Sequence, residues 1–451
     1  MCSATFQPGR WTILRLIIIS IGAFVIFFIL FAVIAYIRMV PKRAVMGPFV
    51  TPANAAQWRG DLRYLAAQIP ARHKNAFHSI TRASFDDLAA DLESKIPSLN
   101  VDEIVVGFMA LAASIGDGHT RISVPSNFHA YPLELYWFGD TLRVTKVSPE
   151  YRQALGAKVL EIGNVQTENA YRAVTSLIPK GENEMWLRRV SPSLLVSAEI
   201  LHGLRLTPTA GAARYDFEDD GGNHFYVDFE PQELSQAENE QNWLSAESKR
   251  PLYRRHPTEP VWFDYLQDEE ALYLQYNVAP TYWQLHRFTG SVLDVLDHKS
   301  VKTLIIDLRL NRGGDLTKFK WILLPQLIKR RFHQQCFACP QEISASPKLY
   351  VAIGRETYSA GLVNAVELKD QASAFLVGEP TGGRPNQYGE DRSFMLPTSH
   401  LVGFVSTRYY RLAQMDTPAL MPDQTIKTTW TDFTTGEDPV LDWIIADSKD
   451  P

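Results

Sequence analysis

Hydrophobic positions recur with two different periods along this chain, and the change of period divides it into segments. Between residues 57 and 115 the apolar positions have helical spacing, in WRGDLRYLAAQI, SFDDLAADLESKI and VDEIVVGFMALAASI. Ser84 and Asp102 are the predicted N-caps of the second and third of these helices. From about residue 130 the pattern becomes β-rich: LELYWF, TLRVTKV and KVLEIGNV predict strands, and TENAYRAVTSLI predicts a helix.

Beyond a polar, Pro-containing stretch at 231–260, which we interpret as a linker, strands and helices alternate. ALYLQYNV, VKTLIID, KLYVAIG and AFLVGE read as buried strands, and two more strands are expected across 392–407. The intervening segments predict helices at 282–298, 315–331, 359–369 and 438–447. Such alternation is typical of an α/β core built on a parallel sheet.

One segment near the start of the chain is suited to a membrane. Residues 16–37 carry no charge and would form a helix about 33 Å long, enough to cross a bilayer. Their apolar run is longer than that of a cleaved signal peptide. We therefore predict a transmembrane helix at 16–37 after an N-terminal tail at 1–15. The flanking basic residues are nearly balanced and do not decide its orientation.

Composition excludes some partners. The net charge of −5 and the absence of a basic run argue against nucleic acid, which would need a basic face. Cys336 and Cys339 form a lone CFAC, which is compatible with half a zinc site, a redox pair or a local disulfide. No second cysteine pair completes a zinc site, so an incidental loop pair is the favoured interpretation. We expect no metal and no organic cofactor.

Three short stretches carry candidate chemistry. In RETYSAG, Ser359 follows an apolar strand and begins a helix, where it is either a helix cap or a nucleophile helped by the helix dipole. Gly313 and Gly314 end the strand VKTLIID, where backbone N–H groups can turn towards a ligand. The N–H of Ala360 with that of one glycine would form an oxyanion hole.

The polar residues nearby are given more modest roles. Asp307 and Arg309 are interpreted as a structural pair that fixes the glycine loop. His119 ends the helical region in GDGHT, and it gains catalytic meaning only if the fold brings it to Ser359, whose hydroxyl proton a neutral imidazole can accept.

Together these stretches make a family recognisable. DGHT, IIDLRLNRGG, TYSAG and VGEPTGG, in this order, resemble the tail-specific (C-terminal processing) serine peptidases, which include the tricorn core and the interphotoreceptor retinoid-binding modules. The similarity covers roughly residues 60–446. It implies a crotonase-like (ClpP-like) α/β catalytic core at 261–448, a helical cap at 57–125 and a PDZ-like β-rich module at 130–230.

The resemblance also implies roles for individual residues. Ser359 matches the family nucleophile, and Gly313 or Gly314 with Ala360 matches the oxyanion hole. Many members pair the serine with a lysine, but the corresponding residue here is Arg384, which keeps its proton and cannot act as a base.

Three further residues bear on the identity of the base. The tricorn-like branch uses histidine, and His119 fits that role. Glu390 is the candidate for an orienting carboxylate, although an exposed loop acid is an equal alternative. Lys369 lies about 15 Å along the helix that Ser359 begins, too far for a hydrogen bond. Arg384 is instead a candidate for binding a substrate carboxylate.

The sequence thus predicts a membrane-anchored serine endopeptidase that cleaves peptides or proteins, including at their C-terminal tails. Its catalytic part is expected outside the cytoplasm, in the periplasm or extracellular space. Two alternatives stay open: a catalytically silent protein that binds peptide tails or apolar ligands, and a scaffold whose PDZ-like module holds a partner's C-terminus.

Overall fold

Helices occupy the N-terminal part of the protein and return between the strands of its C-terminal half. The computed structural model describes residues 49–179, 183–233, 242–333 and 347–449. In these residues the α-helices are α1 (Ala55–Arg72), α2 (Arg82–Lys95), α3 (Val101–Ala113), α4 (Thr167–Thr175), α5 (Glu184–Leu194), α6 (Ala198–Gly203), α7 (Tyr282–His298), α8 (Leu316–Lys318), α9 (Leu324–His333), α10 (Ala360–Ala372), α11 (Trp430–Thr435) and α12 (Pro439–Lys449). A π turn, Phe319–Leu323, joins α8 to α9.

The strands of the described residues fall into four sheets. They are β1 (Arg121–Ile122), β2 (His129–Ala130), β3 (Leu133–Phe138), β4 (Thr141–Val147), β5 (Lys158–Ile162), β6 (Val165–Gln166), β7 (Ala213–Glu218), β8 (His224–Phe229), β9 (Gln232–Glu233), β10 (Leu244–Ser245), β11 (Val261–Leu266), β12 (Ala271–Tyr276), β13 (Thr303–Asp307), β14 (Lys348–Ile353), β15 (Phe375–Gly378), β16 (Asn386–Met395), β17 (Val402–Arg411) and β18 (Gln424–Thr425). Their sheets run β1-β17-β16, β10-β4-β5-β7-β8 with β3 and β6 attached, β11-β12-β13-β14-β15-β18, and β2-β9.

The six-stranded sheet is the α/β core. β11 is antiparallel to β12, and β12 to β15 and β18 pair in parallel. One face packs on α7, α9 and α10, and the other packs on α12 through Val440 and Ile444. Apolar residues on both faces explain why β13, with every residue buried, reads as a continuous hydrophobic run. The predicted α/β fold is confirmed.

The N-terminal helices form where the sequence predicts them, but their caps differ. Thr81 caps α2, and Asn100 caps α3 in a capping box with Glu103. The prediction of Ser84 and Asp102 as caps is wrong, because both lie inside their helices, where the true caps precede them by two or three residues.

The last β-hairpin belongs with this N-terminal region. β17 pairs with β1, so that Arg121 lies opposite Phe404. The buried carboxylate of Asp61 on α1 accepts hydrogen bonds from the backbone N–H groups of Thr398 and Ser399, at 3.0 and 2.7 Å. The N-terminal helical region and the β16–β17 hairpin, which are far apart in sequence, thus share one sheet and one hydrophobic core.

A buried ion cluster fixes the end of β13. Arg309 forms a hydrogen-bonded ion pair with Asp307 at 2.6 Å and another with Asp438, before α12, at 2.7 Å. The phenol of Tyr273 donates to Asp307 at 2.7 Å. All four residues are buried. The predicted Asp307–Arg309 pair is therefore present, and it extends to a residue that the sequence did not link to it.

Several predictions fall outside the described residues. Residues 1–15 and 16–37 lie there, as do Cys336 and Cys339. Within the described ranges no helix has the length and apolar character to cross a bilayer. The transmembrane helix, the domain boundaries and the crotonase-like, cap and PDZ-like assignments stay predictions.

The ion cluster at the end of β13 yields a stability prediction. Arg309→Met should lower the free energy of unfolding by about 3–5 kcal/mol, because two buried carboxylates would lose their cation. Urea denaturation of the purified protein measures this change.

Arg82→Met is the matched control. Arg82 pairs with Asp86 on the surface, with side chains 64% and 54% exposed, and exposed pairs contribute roughly 0.2–1 kcal/mol. If both variants lost the same free energy of unfolding, the ion cluster would not be what stabilises the end of β13.

Candidate active site

Two loops at the carboxyl edge of the parallel sheet form the centre of the candidate site. One follows β13 and contains Gly313 and Gly314; the other follows β14 and leads to Ser359. The hydroxyl of Thr357 donates to the Leu308 carbonyl at 2.8 Å, and the Tyr358 N–H donates to the Asn311 carbonyl at 3.0 Å. Neighbouring parallel strands thus bring the two loops together.

Ser359 sits on a strained turn. Its φ of 52° and ψ of −120° lie where residues with a side chain are uncommon. The turn ends the loop after β14 and starts α10 at Ala360, and its side chain makes no capping hydrogen bond. The partly exposed hydroxyl of Ser359 is therefore free to act as a nucleophile. A serine that served only as a helix cap would use its hydroxyl to accept a backbone N–H of the helix.

The glycine loop packs directly against this serine. A Cβ atom on Gly313, whose φ is 109°, would lie 2.7 Å from Ser359 Cβ, so no side chain fits there. The Gly313 N–H donates to Asn311 Oδ1 at 2.9 Å. Within the described residues, the N–H groups of Gly314 and Ala360 have no hydrogen-bond partner.

His119 reaches Ser359 from the N-terminal region. Its Nε2 lies 3.1 Å from Ser359 Oγ, although the two residues are 240 positions apart. The loop between α3 and β1 carries His119, and the pairing of β1 with β17 holds that loop beside the hairpin. A hydroxyl within hydrogen-bond distance of an imidazole is the geometry that proton abstraction requires.

Asp117 holds the backbone around His119. Its Oδ1 accepts hydrogen bonds from the N–H groups of His119 and Thr120, each at 3.0 Å, and from the Ser406 hydroxyl at 2.5 Å. Its Oδ2 contacts His73 Nε2 at 2.9 Å. Since the Asn75 N–H donates to His73 Nδ1, the His73 proton is on Nε2 and is donated to Asp117.

Burial dominates the electrostatics of His119. The side chain is almost fully buried, and desolvation lowers its pKa below the ordinary value of 6.5. The carboxylates of Asp391 and Asp117 act in the opposite direction and raise the pKa, and Arg121, which is paired with Asp391 at 2.9 Å, lowers it. The net effect keeps the imidazole neutral near pH 7.

An aromatic stack backs the imidazole. The Tyr358 ring lies 4.9 Å from the His119 ring at 22°, and its hydroxyl is 3.0 Å from Nδ1. Trp186, from α5, stacks on the other face of Tyr358 at 4.0 Å. Because the first two rings are nearly parallel, the hydroxyl approaches Nδ1 from near the face of the imidazole.

Two predicted residues have other partners. Glu390 is exposed, and its Oε1 accepts hydrogen bonds from Arg408 at 3.1 Å and Tyr410 at 2.8 Å. Arg384 donates to Asp416 at 3.0 Å. The structure brings Ser359, His119, Gly313, Gly314 and Ala360 together, but it does not bring Glu390 into contact with the imidazole.

Five residues of the site were not assigned from sequence. Asp117 holds the backbone of His119, His73 supports Asp117, Asn311 binds the glycine loop, and Tyr358 and Trp186 form the stack. The sequence pointed to Asp117, Asn311 and Tyr358 alone, because each lies within a stretch that resembles the family. No group of three or more potential metal-ligating side chains occurs within the described residues.

Comparison with known proteins identifies the domain. Residues 282–425 match the family model described as Peptidase family S41. In fold, the chain is similar to mature CPAF complexed with lactacystin, with a TM-score of 0.59 and 11% identity over 88% of this chain and 98% of that one. A second structure of mature CPAF gives a TM-score of 0.57, also at 11% identity, over 88% and 97%. No curated protein sequence is significantly similar.

The similarity to CPAF shows a shared fold, and the family model covers both loops of the site, with Gly313, Gly314 and Ser359. The family recognised from the sequence motifs is therefore confirmed: residues 282–425 belong to peptidase family S41, and the chain is a serine-type peptidase.

Proposed function

We propose that this protein is an endopeptidase that cleaves peptide bonds through an acyl-enzyme on Ser359, with His119 as general base. The 3.1 Å contact between His119 Nε2 and Ser359 Oγ carries the proposal. Nε2 takes the hydroxyl proton as Oγ attacks the peptide carbonyl, and then donates it to the leaving amine. A water activated by the same nitrogen hydrolyses the ester.

The tautomer required for this step has its proton on Nδ1. The backbone of Tyr388 forms a hydrogen bond with the imidazole that raises its pKa, as an accepting carbonyl does, and a proton held there on Nδ1 leaves the Nε2 lone pair facing Ser359. Asp117 fixes the backbone on which the ring is mounted. Both contacts orient the base without contacting substrate.

The oxyanion hole is assigned to the N–H groups of Gly314 and Ala360. The Gly313 N–H is already bonded to Asn311, which leaves Gly313 the role of allowing close approach to Ser359. Two donors aimed at the developing oxyanion contribute most when they are fixed before reaction, and Asn311 provides that rigidity.

Glu390 and Arg384 keep their predicted roles only as hypotheses. Glu390 would act on His119 through Tyr410, whose ring packs beside Gly389, rather than by direct contact. Arg384 would have to exchange Asp416 for a substrate carboxylate. Loss of activity in Glu390→Gln, but not in Arg408→Gln, would separate a catalytic contribution of Glu390 from a structural one.

Labelling with a fluorophosphonate probe tests the proposed function. The wild-type chain should be labelled, Ser359→Ala should not, and His119→Ala should be labelled at least a hundredfold more slowly because the hydroxyl loses its base. Gel fluorescence after timed exposure measures the rates.

Lys369→Ala is the matched control and should label at the wild-type rate, because Lys369 pairs with Asp423 at 2.7 Å. Gly313→Ala should not be labelled, since its methyl group would overlap Ser359. An unlabelled wild-type chain would favour the catalytically silent binding protein, and an unimpaired His119→Ala chain would exclude His119 as the base.

The pH dependence of labelling tests the base independently. Because burial lowers the pKa of His119, the ring loses its proton at a pH below 6.5, and the labelling rate should reach half of its plateau below that pH. A stopped-time series between pH 4.5 and 9 measures this limb. An acid limb near pH 7–8, typical of a buried lysine base, would contradict the assignment.

We further propose that residues 16–37 anchor the protein in a membrane, with the catalytic part outside the cytoplasm. The uncharged segment of bilayer-spanning length supports the anchor. A phosphatase reporter fused to the C-terminus should be active, and a cytoplasmic fluorescent reporter at the same position should not. The reverse result would place the catalytic part in the cytoplasm.

A further inference from the structure

Exposed aromatic side chains lie beside the glycine loop and have no role in the chemistry above. Trp283 at the start of α7 and Trp321 in the π turn are 76% and 73% exposed, and no other tryptophan of the described residues is exposed. Val278 and Tyr282 are exposed next to Trp283. One exposed apolar side chain needs no explanation, but several large ones together mark a contact surface. We call these four residues the aromatic patch.

Short contacts join the two parts of the patch. The Tyr282 ring lies 5.7 Å from the Trp283 ring. Lys318 Nζ donates to the Pro280 carbonyl, two residues before Tyr282, at 2.9 Å. Trp321 follows Lys318 by about one helical turn, so the π turn lies against the start of α7. The patch therefore belongs to two neighbouring elements.

The patch borders the catalytic loops. A Cβ atom on Gly314 would lie 3.1 Å from Ala279 Cβ and 3.8 Å from Val278 Cγ2. Gly314, whose N–H is assigned to the oxyanion hole, is itself exposed. Whatever covers the patch therefore lies next to the place where substrate reacts.

The rings project from the protein and line no groove. The buried face of α7 includes Leu285, Phe288 and Val292, whereas Trp283 and Arg287 lie one turn apart on the opposite face. A pocket for a small ligand encloses most of that ligand, which a convex helix face cannot do. The patch is thus suited to an extended partner surface.

Three cations accompany the rings, and one of them is unpaired. Lys318 Nζ lies 3.5 Å from Asp315 Oδ2, and Lys320 Nζ lies 2.6 Å from Glu367 Oε1. Arg287 is exposed and forms no ion pair in the part of the chain that the structure describes. Lysine is depleted where proteins meet proteins, whereas Trp and Tyr among basic residues are typical of the membrane–water interface. The composition therefore favours an anionic bilayer over a second protein.

The chain itself brings a bilayer within reach. The proposed anchor ends at residue 37 and the described part begins at Phe49, so the intervening residues bridge at most about 40 Å. A compact unit of about 400 residues is roughly 55 Å across. In an anchored chain the catalytic part therefore stays at the bilayer surface, and its exposed side chains decide which face makes contact.

We propose that the aromatic patch inserts into the headgroup layer of an anionic bilayer and holds the active site against it. Indole and phenol rings suit this layer, because each joins an apolar body to a polar N–H or O–H group. Arg287 would bind lipid phosphate. The inference rests on the proposed anchor and peptidase function. It adds a substrate class, peptide segments held at the membrane surface, because Gly314 adjoins the patch.

Tryptophan quenching in nanodiscs tests the contact. The full-length chain is reconstituted at one copy per disc in phosphatidylcholine with about 30% phosphatidylglycerol, and brominated acyl chains quench tryptophans at the bilayer. In Trp283→Ser/Trp321→Ser the quenched emission should fall about twofold or more, and Trp11, near the predicted span, supplies the remainder. Trp443→Phe is the matched control and should change nothing, because α12 packs on the other face of the sheet from α7.

Arg287→Glu keeps both tryptophans and tests the charge. Quenching should fall about twofold in the anionic discs and stay unchanged in pure phosphatidylcholine. Arg152→Glu, also exposed, is the control. Wild-type quenching no greater than that of the double tryptophan variant would overturn the proposal. Shielding of the patch from aqueous acrylamide only in discs with two copies would overturn it in favour of a second copy of the chain.

A fluorophosphonate attached to a lipid headgroup tests the substrate class. In the same discs this probe should label the wild-type chain about tenfold faster than the double tryptophan variant, because the patch holds Ser359 near the lipid. A water-soluble fluorophosphonate should label both at one rate, which also reports correct folding. Equal rates with the lipid-attached probe would overturn the substrate class.

Flotation and wild-type labelling separate this inference from the proposals on which it rests. A chain that does not float with vesicles of the same lipids lacks the anchor, and the inference fails with it. An unlabelled wild-type chain defeats the peptidase function and the substrate class. A chain that floats and is labelled, but whose exposed tryptophans are not quenched, defeats the patch assignment alone.

Discussion

The close packing of two backbone loops is the constraint on which the site depends. Asn311 accepts from the Tyr358 N–H and from the Gly313 N–H, and Gly313 and Gly361 each face the opposite loop at distances that exclude a side chain. This packing fixes Ser359 in a strained conformation, in which its hydroxyl makes no capping hydrogen bond to α10. The Arg309 ion cluster beneath holds the strand end from which the loop departs.

The second half of the site depends on contacts between distant parts of the chain. His119 lies on a loop that is anchored through Asp117 to Ser406 of β17, and β17 also pairs with β1 immediately after that loop. The hairpin β16–β17 therefore holds in place the loop from which His119 reaches Ser359. A change in this hairpin would move His119 relative to Ser359 without altering the parallel sheet.

Local pattern predicted the sheet better than the site. β13 and β14 read as continuous apolar runs because both faces of the sheet are covered, and α7 has the apolar spacing of an amphipathic helix. α5 was missed because Pro192 interrupts its pattern, and Trp186 was missed with it. Glu390 was chosen for its position in sequence. Its φ of 51° interrupts strand alternation and turns the side chain to Arg408 and Tyr410. His119 lies 240 residues from Ser359 in sequence, and local spacing cannot predict a contact over that distance. The pairing of the two residues was predicted from the family resemblance.

In the proposed mechanism the surroundings of His119 must satisfy two opposing demands. The ring has to be neutral before reaction, which burial favours, yet it has to carry a proton while the oxyanion exists, which burial disfavours. Asp391 and Asp117 resolve the conflict, because both stabilise the imidazolium without bonding to the ring. Arg121 limits their effect through its pair with Asp391. Small shifts in pKa tune a histidine in this way, whereas Arg384, which the family resemblance places at the position of a lysine base, keeps its proton and could not serve.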